Sequence, residues 1–395
     1  MKTQPEFSYA PLFWLALGTF AVGTEGFMIA GLLPRIAADL NASIVLAGQL
    51  VTVFALAYAL SSPVLTALTG AFDRRRLMIV TMLAFAAANL MAWAAKDYWQ
   101  LMAARVLLAF CAGLFVPGAN ALAGVIAGPA RRGKALAIVN GGISIAVALG
   151  VPAGALLGGQ LGWRATFAGV AGLALLAATG LVVGLPVSIS KGLPVASLGE
   201  RLAAARQPLI LRKLLVTTLW AAGAYTIYTY LALFISAYTP LHGAQISYVL
   251  FTWGISAAAG VVIGGTATDR HGARAVILPS LLVVAAAFGL LSASAHWLAK
   301  PVALLPVLLA VVAWGVAHWG FYPAQQSSLI SAAGLQATPV ALSLNASFMY
   351  LGFSLGAFLG SLILALASAA DLGWAGAVCE LAAIALTVAG QRGGT

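Results

Sequence analysis

Residues 139–159 read VNGGISIAVALGVPAGALLGG, and residues 344–362 read LNASFMYLGFSLGAFLGSL. Both stretches are apolar, both place an asparagine second, and both are punctuated by glycine. The match extends outward. Pro117 in FVPGAN (115–120) pairs with Pro323 in FYPAQQ (321–326), and FDRRR (72–76) pairs with TDRHGAR (268–274). The spacings are nearly constant: Pro117 to Pro323 is 206 (323 − 117), Asn140 to Asn345 is 205 (345 − 140), and Gly154 to Gly360 is 206 (360 − 154). A fixed offset across separate blocks marks a two-fold internal repeat.

The composition says what kind of repeat this is. Of 395 residues 62% are hydrophobic and 7% charged. A soluble chain of this length cannot hide that much apolar surface, so the class is an all-α integral membrane protein. A bilayer core about 30 Å thick takes roughly 20 apolar residues per helix. Twelve runs meet that length: 12–33, 46–69, 77–95, 100–127, 135–160, 165–186, 214–238, 246–267, 275–295, 302–328, 339–366 and 374–391. They are uniformly apolar rather than alternating, which excludes a porin-type barrel. The first run is longer than the apolar core of about 7–15 residues in a cleaved signal and is interrupted by Glu25, so it is read as a span.

The formal charge is +11, but its distribution removes the need for nucleic acid. With the N-terminus in the cytoplasm, 15 of the 20 Lys and Arg fall on that side, four on the other, and Arg105 lies within a span. That asymmetry sets both termini inside, in a cytoplasmic (inner) membrane. The division is a six-helix bundle (1–186), a basic cytoplasmic linker (187–213) with a short surface helix near Leu198–Ala205, and a second six-helix bundle (214–395). Because one chain carries both bundles, a monomer is expected. Two cysteines, both in apolar runs, offer no disulfide framework or metal cluster. No phosphate loop, hydrolase carboxylate pair or metal-ligand spacing occurs, so neither enzyme activity nor a cofactor is expected, and energy must come from a gradient. Two-fold repeats with a site at their interface are typical of secondary transporters.

Glu25 lies in GTEGFMIAGLLP (23–34), in the middle of the first span. A charged carboxylate at mid-membrane costs a few kcal/mol and calls for a function or a partner. Burial disfavours its charged form and a nearby cation restores it, so such a group can load and release a proton. At 1.5 Å per residue Glu25 sits about 13 Å below the outer edge and Arg105 about 8 Å, a difference of about 5 Å that an Arg side chain spans. The alternatives are a structural carboxyl and an Arg that snorkels to the interface. His318 is a further candidate proton site, or a neutral buried histidine.

Span 7 carries Trp220, Tyr225 and Tyr228, and span 10 carries Trp314, His318, Trp319 and Phe321. With Met28, Asn120, Asn140 and Asn345, the residues Tyr225, Tyr228, Trp314 and Phe321 form the expected substrate set. Aromatic walls stack planar molecules, but they also pack cores, and the asparagines can equally bond neighbouring helices. Glu380 in the last span is read as structural or lipid-facing.

These pieces together resemble the major facilitator superfamily, in particular its drug:proton antiporter branch with the sugar- (arabinose-) efflux-type permeases. The resemblance spans the chain. It rests on TEGFMIAGLLPRIAADL (24–40), on GTATDRHGAR (265–274), on Arg105, and on GGISIAVALGVPAGALLGG (141–159) followed by GWRATF (162–167). The signature is degenerate in the first bundle, where Gly70 stands three residues before Asp73, and Ala109 takes the place of a glycine. The resemblance implies a twelve-helix fold of two pseudo-symmetric bundles whose spans 1, 4, 7 and 10 line a cavity. It implies that Asp73, Arg74, Asp269, Arg270, Gly272 and Arg274 latch the cytoplasmic side, and that Gly150, Pro152 and Gly154 mark an exporter. The expected partners are therefore a small-molecule substrate, protons and the lipid bilayer. The expected activity is proton-coupled export of a drug, sugar or related metabolite. Uptake by symport on the same scaffold and a non-transporting receptor are the competing readings.

Overall fold

The computed structural model describes residues 9–185 and 197–392. The first bundle comprises α1 (Ala10–Asp39), α2 (Ile44–Leu68), α3 (Arg74–Ala94), α4 (Tyr98–Gly128), α5 (Arg131–Gln160) and α6 (Trp163–Gly184). A short helix, α7 (Leu198–Ala205), leads into α8 (Pro208–Tyr228) and α9 (Leu231–Tyr238). The second bundle continues with α10 (Gln245–His271), α11 (Arg274–Trp297), α12 (Lys300–Gly334), α13 (Val340–Leu366) and α14 (Leu372–Arg392). Eleven of the described helices are long and apolar enough to cross a bilayer, and α8 with α9 makes a twelfth span bent by 47°. Residues 187–196 of the expected linker lie outside the described residues.

Each span can be traced to local chemistry. Ser43, Asp73 and Asp97 cap α2, α3 and α4 by accepting from the backbone N–H three residues on. Gly128 (φ 67°) ends α4 and Gly334 (φ 75°) ends α12, both in left-handed turns that an L side chain rarely adopts. They too are 206 residues apart (334 − 128), so the repeat includes the turns as well as the helices. The break between α8 and α9 contains neither proline nor glycine. Thr226 instead returns its hydroxyl to the Ala222 carbonyl (2.8 Å), a bond of the kind that bends helices. The first helix runs on through Pro34 to Asp39, past the expected end near residue 33. A proline forfeits one ladder bond, and here the turns on either side keep the helix going.

Small residues set the interhelical spacing, as expected where lipid offers no hydrophobic drive to pack. A Cβ on Gly264 of α10 would overlap the backbone of Gly320 on α12, and one on Gly142 of α5 would overlap the Ala16 carbonyl of α1. Arginines tie the ends of the first bundle. Arg75 donates to the Leu185 (2.8 Å) and Val182 (2.5 Å) carbonyls at the end of α6. At the opposite end Arg164 bonds the Ala95 carbonyl (2.8 Å) and Asp39, and Trp163 Nε1 bonds Asp39 (3.1 Å). Arg75, Arg131, Arg270 and Arg274 mark one end of the molecule, called here the basic end.

The bundles meet along α1, α2 and α5 on one side and α8, α9, α10 and α13 on the other. Gln49 donates to Ser361 (2.9 Å) and Ser354 to the Thr52 carbonyl (2.9 Å). Gly48 faces the Tyr230 ring, and Gly254 of α10 lies against the Val147 and Ala148 backbone of α5. These contacts lie at mid-depth or towards the end opposite the basic one. Nearer the basic end, Asn140 of α5 is exposed.

Candidate functional site: the interface between the bundles

Glu25 on α1 and Arg105 on α4 form an ion pair, each with a fully buried side chain at 0% exposure. The sequence depths of the two groups anticipated this contact. The pair is held from several sides. Arg105 Nε donates to the Leu50 carbonyl of α2 (3.3 Å), and the guanidinium lies 4.0 Å from the Phe54 ring centroid. One oxygen of the carboxylate, Oε2, and one guanidinium nitrogen, Nη2, have no partner, and neither has the neighbouring Thr24 hydroxyl. Buried polar atoms are nearly always bonded, so three orphans around one ion pair are notable. Tyr225 and Tyr350 stand within electrostatic reach of Arg105.

Next to the pair, α1 inserts Phe27 into four rings of the second bundle. Its centroid is 6.4 Å from Tyr225, 6.3 Å from Tyr228, 6.2 Å from Trp319 and 6.2 Å from Phe353. Tyr228 also donates to the Phe27 carbonyl (3.2 Å). Tyr58 of α2 stacks on Tyr350 of α13 at 3.6 Å, closing a second aromatic bridge between bundles. Trp319 Nε1 is a buried donor with no partner. The arrangement is an aromatic, overall neutral compartment, with a carboxylate–guanidinium pair in its wall.

Of the expected substrate residues, the structure brings Tyr225 and Tyr228 to this interface. Asn120 and Asn140 bond one another (3.3 and 3.0 Å) between α4 and α5, and Asn140 is exposed. Four others pack away from this interface. Met28 packs on Gly154 of α5, inside the first bundle. Trp314 sits among Trp253, Tyr228 and Phe288, and Phe321 stacks on Trp220 at 4.8 Å, both inside the second. Asn345 is fully buried and accepts from Thr217 (2.7 Å), a helix-to-helix bond. His318 is likewise away from the pair: it stacks on Trp220 at 4.0 Å within the second bundle. The spans were right, but which face of each helix meets the other bundle is a tertiary fact. Phe27, Tyr58, Tyr350 and Phe353, which meet across this interface, were not among the expected residues. A tyrosine in mid-span was the available signal, since Tyr is otherwise enriched at membrane interfaces.

The expected latch residues divide. Asp73 caps α3 through the Arg76 N–H (2.8 Å), and Arg74 is buried, bonding the Gly70 carbonyl (3.2 Å). Asp269, Arg270, Gly272 and Arg274 are exposed, with Gly272 at φ 81° turning the chain into α11. In α5 the residues Ala146–Gly150 form a π-helical turn just before Pro152. That wider turn absorbs the hydrogen bond the proline cannot make. Gly150 of the same segment packs on Thr24 of α1. Glu380 is fully buried, not lipid-facing.

Two helical bundles meeting at a buried charged and aromatic interface are the architecture of a secondary transporter. The sequence profile of the Major Facilitator Superfamily matches residues 15–356. The chain belongs to that superfamily and is a multi-pass membrane protein that transports small molecules. It is 32% identical to the "Uncharacterized MFS-type transporter YbcL" of Bacillus subtilis (strain 168) over 373 residues, 94% of this chain and 93% of that one. It is 35% identical to the "Chloramphenicol resistance protein" of Streptomyces lividans over 302 residues, 75% of this chain and 76% of that one. A bacterial homologue of the human lysosomal transporter Spinster shares the fold at a TM-score of 0.75 and 17% identity, covering 99% of this chain and 98% of that one.

Proposed function

We propose that this protein is a proton-coupled exporter of small neutral molecules that bear an aromatic ring, working in a cytoplasmic membrane with the basic end inside. One observation carries the reading: the buried Glu25–Arg105 pair borders the aromatic compartment between the bundles. A proton on Glu25 loosens its hold on Arg105. Substrate and proton then bias the same two-state equilibrium through their different affinities for its two states. The bundles 1–186 and 214–395 rock as units about this interface. The bundles touch at mid-depth and around an outer recess of about 190 Å³ lined by Arg35, Ser236 and Ser247, while Asn140, Asp269, Arg270 and Arg274 towards the basic end are exposed; we read this as the inward-facing conformer. The relative that confers chloramphenicol resistance supports export and supplies a first substrate to test: a neutral nitrophenyl compound with acceptors for the Trp319 indole.

The direct test is accumulation of labelled chloramphenicol, a cationic dye and a pentose in everted vesicles with an acid interior. Gradient-dependent accumulation of the neutral aryl compound is the expected result. Accumulation of the pentose alone would overturn the substrate class, and accumulation only under the reversed gradient would establish symport. Trp319→Leu is expected to raise the KM for chloramphenicol roughly tenfold, the equivalent of about 1.4 kcal/mol for one lost ring contact and one lost hydrogen bond. An unchanged KM would remove Trp319 from the site. Asp73→Asn separates two roles, because asparagine caps a helix as well as aspartate does but carries no charge. If Asp73 is part of a charge latch, transport falls severalfold while thermal stability holds. If it only caps α3, both are unchanged.

A further inference from the structure

We propose that Glu380 is a second proton-binding site, located in the second bundle and coupled to the position of α8. Glu380 is 0% exposed, and neither of its carboxylate oxygens has a hydrogen-bond partner. It points at the closest approach of α14 and α8. A Cβ on Gly223 of α8 would stand 2.9 Å from Glu380 Oε1 and 2.8 Å from the Gly376 carbonyl. Gly376 in turn packs on Phe288 of α11 and Ile227 of α8. The helices packed on α14 are α8, α11 and α13. Their charged and titratable groups are Arg212, Lys213, Tyr225 and Tyr228 on α8, Arg274 and His296 on α11, and Tyr350 on α13. None of these has a resolved electrostatic effect on Glu380. Cys379, its neighbour in sequence, is the group within reach.

A carboxylate with no cation and no donor cannot stay ionised in an apolar interior. Glu380 therefore holds a proton in this conformer, and the neutral carboxyl fits the notch left by two glycines. Ionisation requires water or a cation, and so requires α8 to move off α14 at Gly223. That helix carries Tyr225 and Tyr228 into the interface between the bundles and is broken just beyond them. Separating α8 from α14 thus links proton release at Glu380 to rearrangement of the aromatic compartment. By reciprocity, whatever moves α8 changes the affinity of Glu380 for its proton. This carboxyl lies in the other bundle from Glu25 and shares no contact with it, so the two assignments can fail separately.

The test is pH-dependent infrared difference spectroscopy of the purified protein in lipid nanodiscs, read at the carbonyl stretch of a protonated carboxyl. The wild type and Glu25→Gln are expected to share a band that disappears on alkalinisation, and Glu380→Gln is expected to lose it, with one proton fewer released per chain. Gly223→Ala forces α8 away from the Gly376 carbonyl of α14 and admits water to the carboxyl, so it is expected to shift the loss of the band towards lower pH. The same band in wild type and Glu380→Gln, or a band that persists in the folded wild type to the alkaline limit, would overturn the proposal. If Glu380→Gln does not fold, Glu380→Asp is read instead: a displaced titration supports the site and an unchanged one overturns it. Loss of the band in Glu380→Gln alongside unaltered proton-driven transport in Glu25→Gln would retain this site and reject Glu25 as the carrier.

Discussion

Glu25→Gln is expected to abolish gradient-driven accumulation in everted vesicles while substrate counterflow, which needs no net proton movement, continues. Glutamine keeps the length of the side chain and still offers Arg105 an acceptor, but it carries no proton and no charge. The substitution leaves a buried guanidinium uncompensated. Arginine cannot shed its proton, so the cost approaches the roughly 3–5 kcal/mol of a broken buried pair. Arg105→Gln is expected to be milder in stability, because the remaining carboxyl can protonate and become neutral. Both variants should lose proton coupling, with the larger fall in melting temperature in Glu25→Gln. Full proton-driven accumulation in Glu25→Gln would end the role assigned to the pair.

Gly254→Leu is expected to stop transport by a different route. Gly254 of α10 lies against the Val147 and Ala148 backbone of α5, where a Cβ would stand 2.5 Å from the Val147 carbonyl oxygen. Backbone cannot yield as a side chain tip can, and the contact joins the two bundles at mid-depth. A leucine there opposes the conformer seen here without disturbing packing inside either bundle. Overpacking of this kind costs about 1–3 kcal/mol, which shifts a two-state equilibrium by roughly 5- to 150-fold. The measurement is thiol labelling of Asn140→Cys, on the basic side, and of Ser247→Cys, on the other. Labelling should fall at the first and rise at the second when Gly254→Leu is added. Unchanged labelling at both would show that this contact does not set the equilibrium.

Several parts of the candidate site could be read before any coordinates. Glu25 and Arg105 announced themselves because charge is scarce in a chain with 7% charged residues, and their depths followed from the helical rise. Aromatic residues gave no such signal. With 17 Phe, 10 Tyr and 10 Trp, a ring by itself does not mark a site, and Trp314 and Phe321 pack against rings of their own bundle. Phe27 sits two residues from Glu25 yet was indistinguishable from its apolar neighbours until the rings around it were known.

The sequence by itself determined the number of spans, the repeat and the asymmetry of charge. All three follow from bilayer thickness, from the cost of charge in lipid and from a duplicated pattern, which are local or statistical properties. The turns at Gly128 and Gly334 share the 206-residue offset of the repeat, but their left-handed backbone was seen only in the structure. Tertiary structure alone decided which face of each helix meets the other bundle. In a soluble protein, amphipathic patterning would have shown this, but here lipid-facing and protein-facing surfaces are both apolar, and periodicity has little left to report. Hence the broken seventh span, the π-turn before Pro152, and the burial of Glu380 against Gly223 had to be seen rather than read.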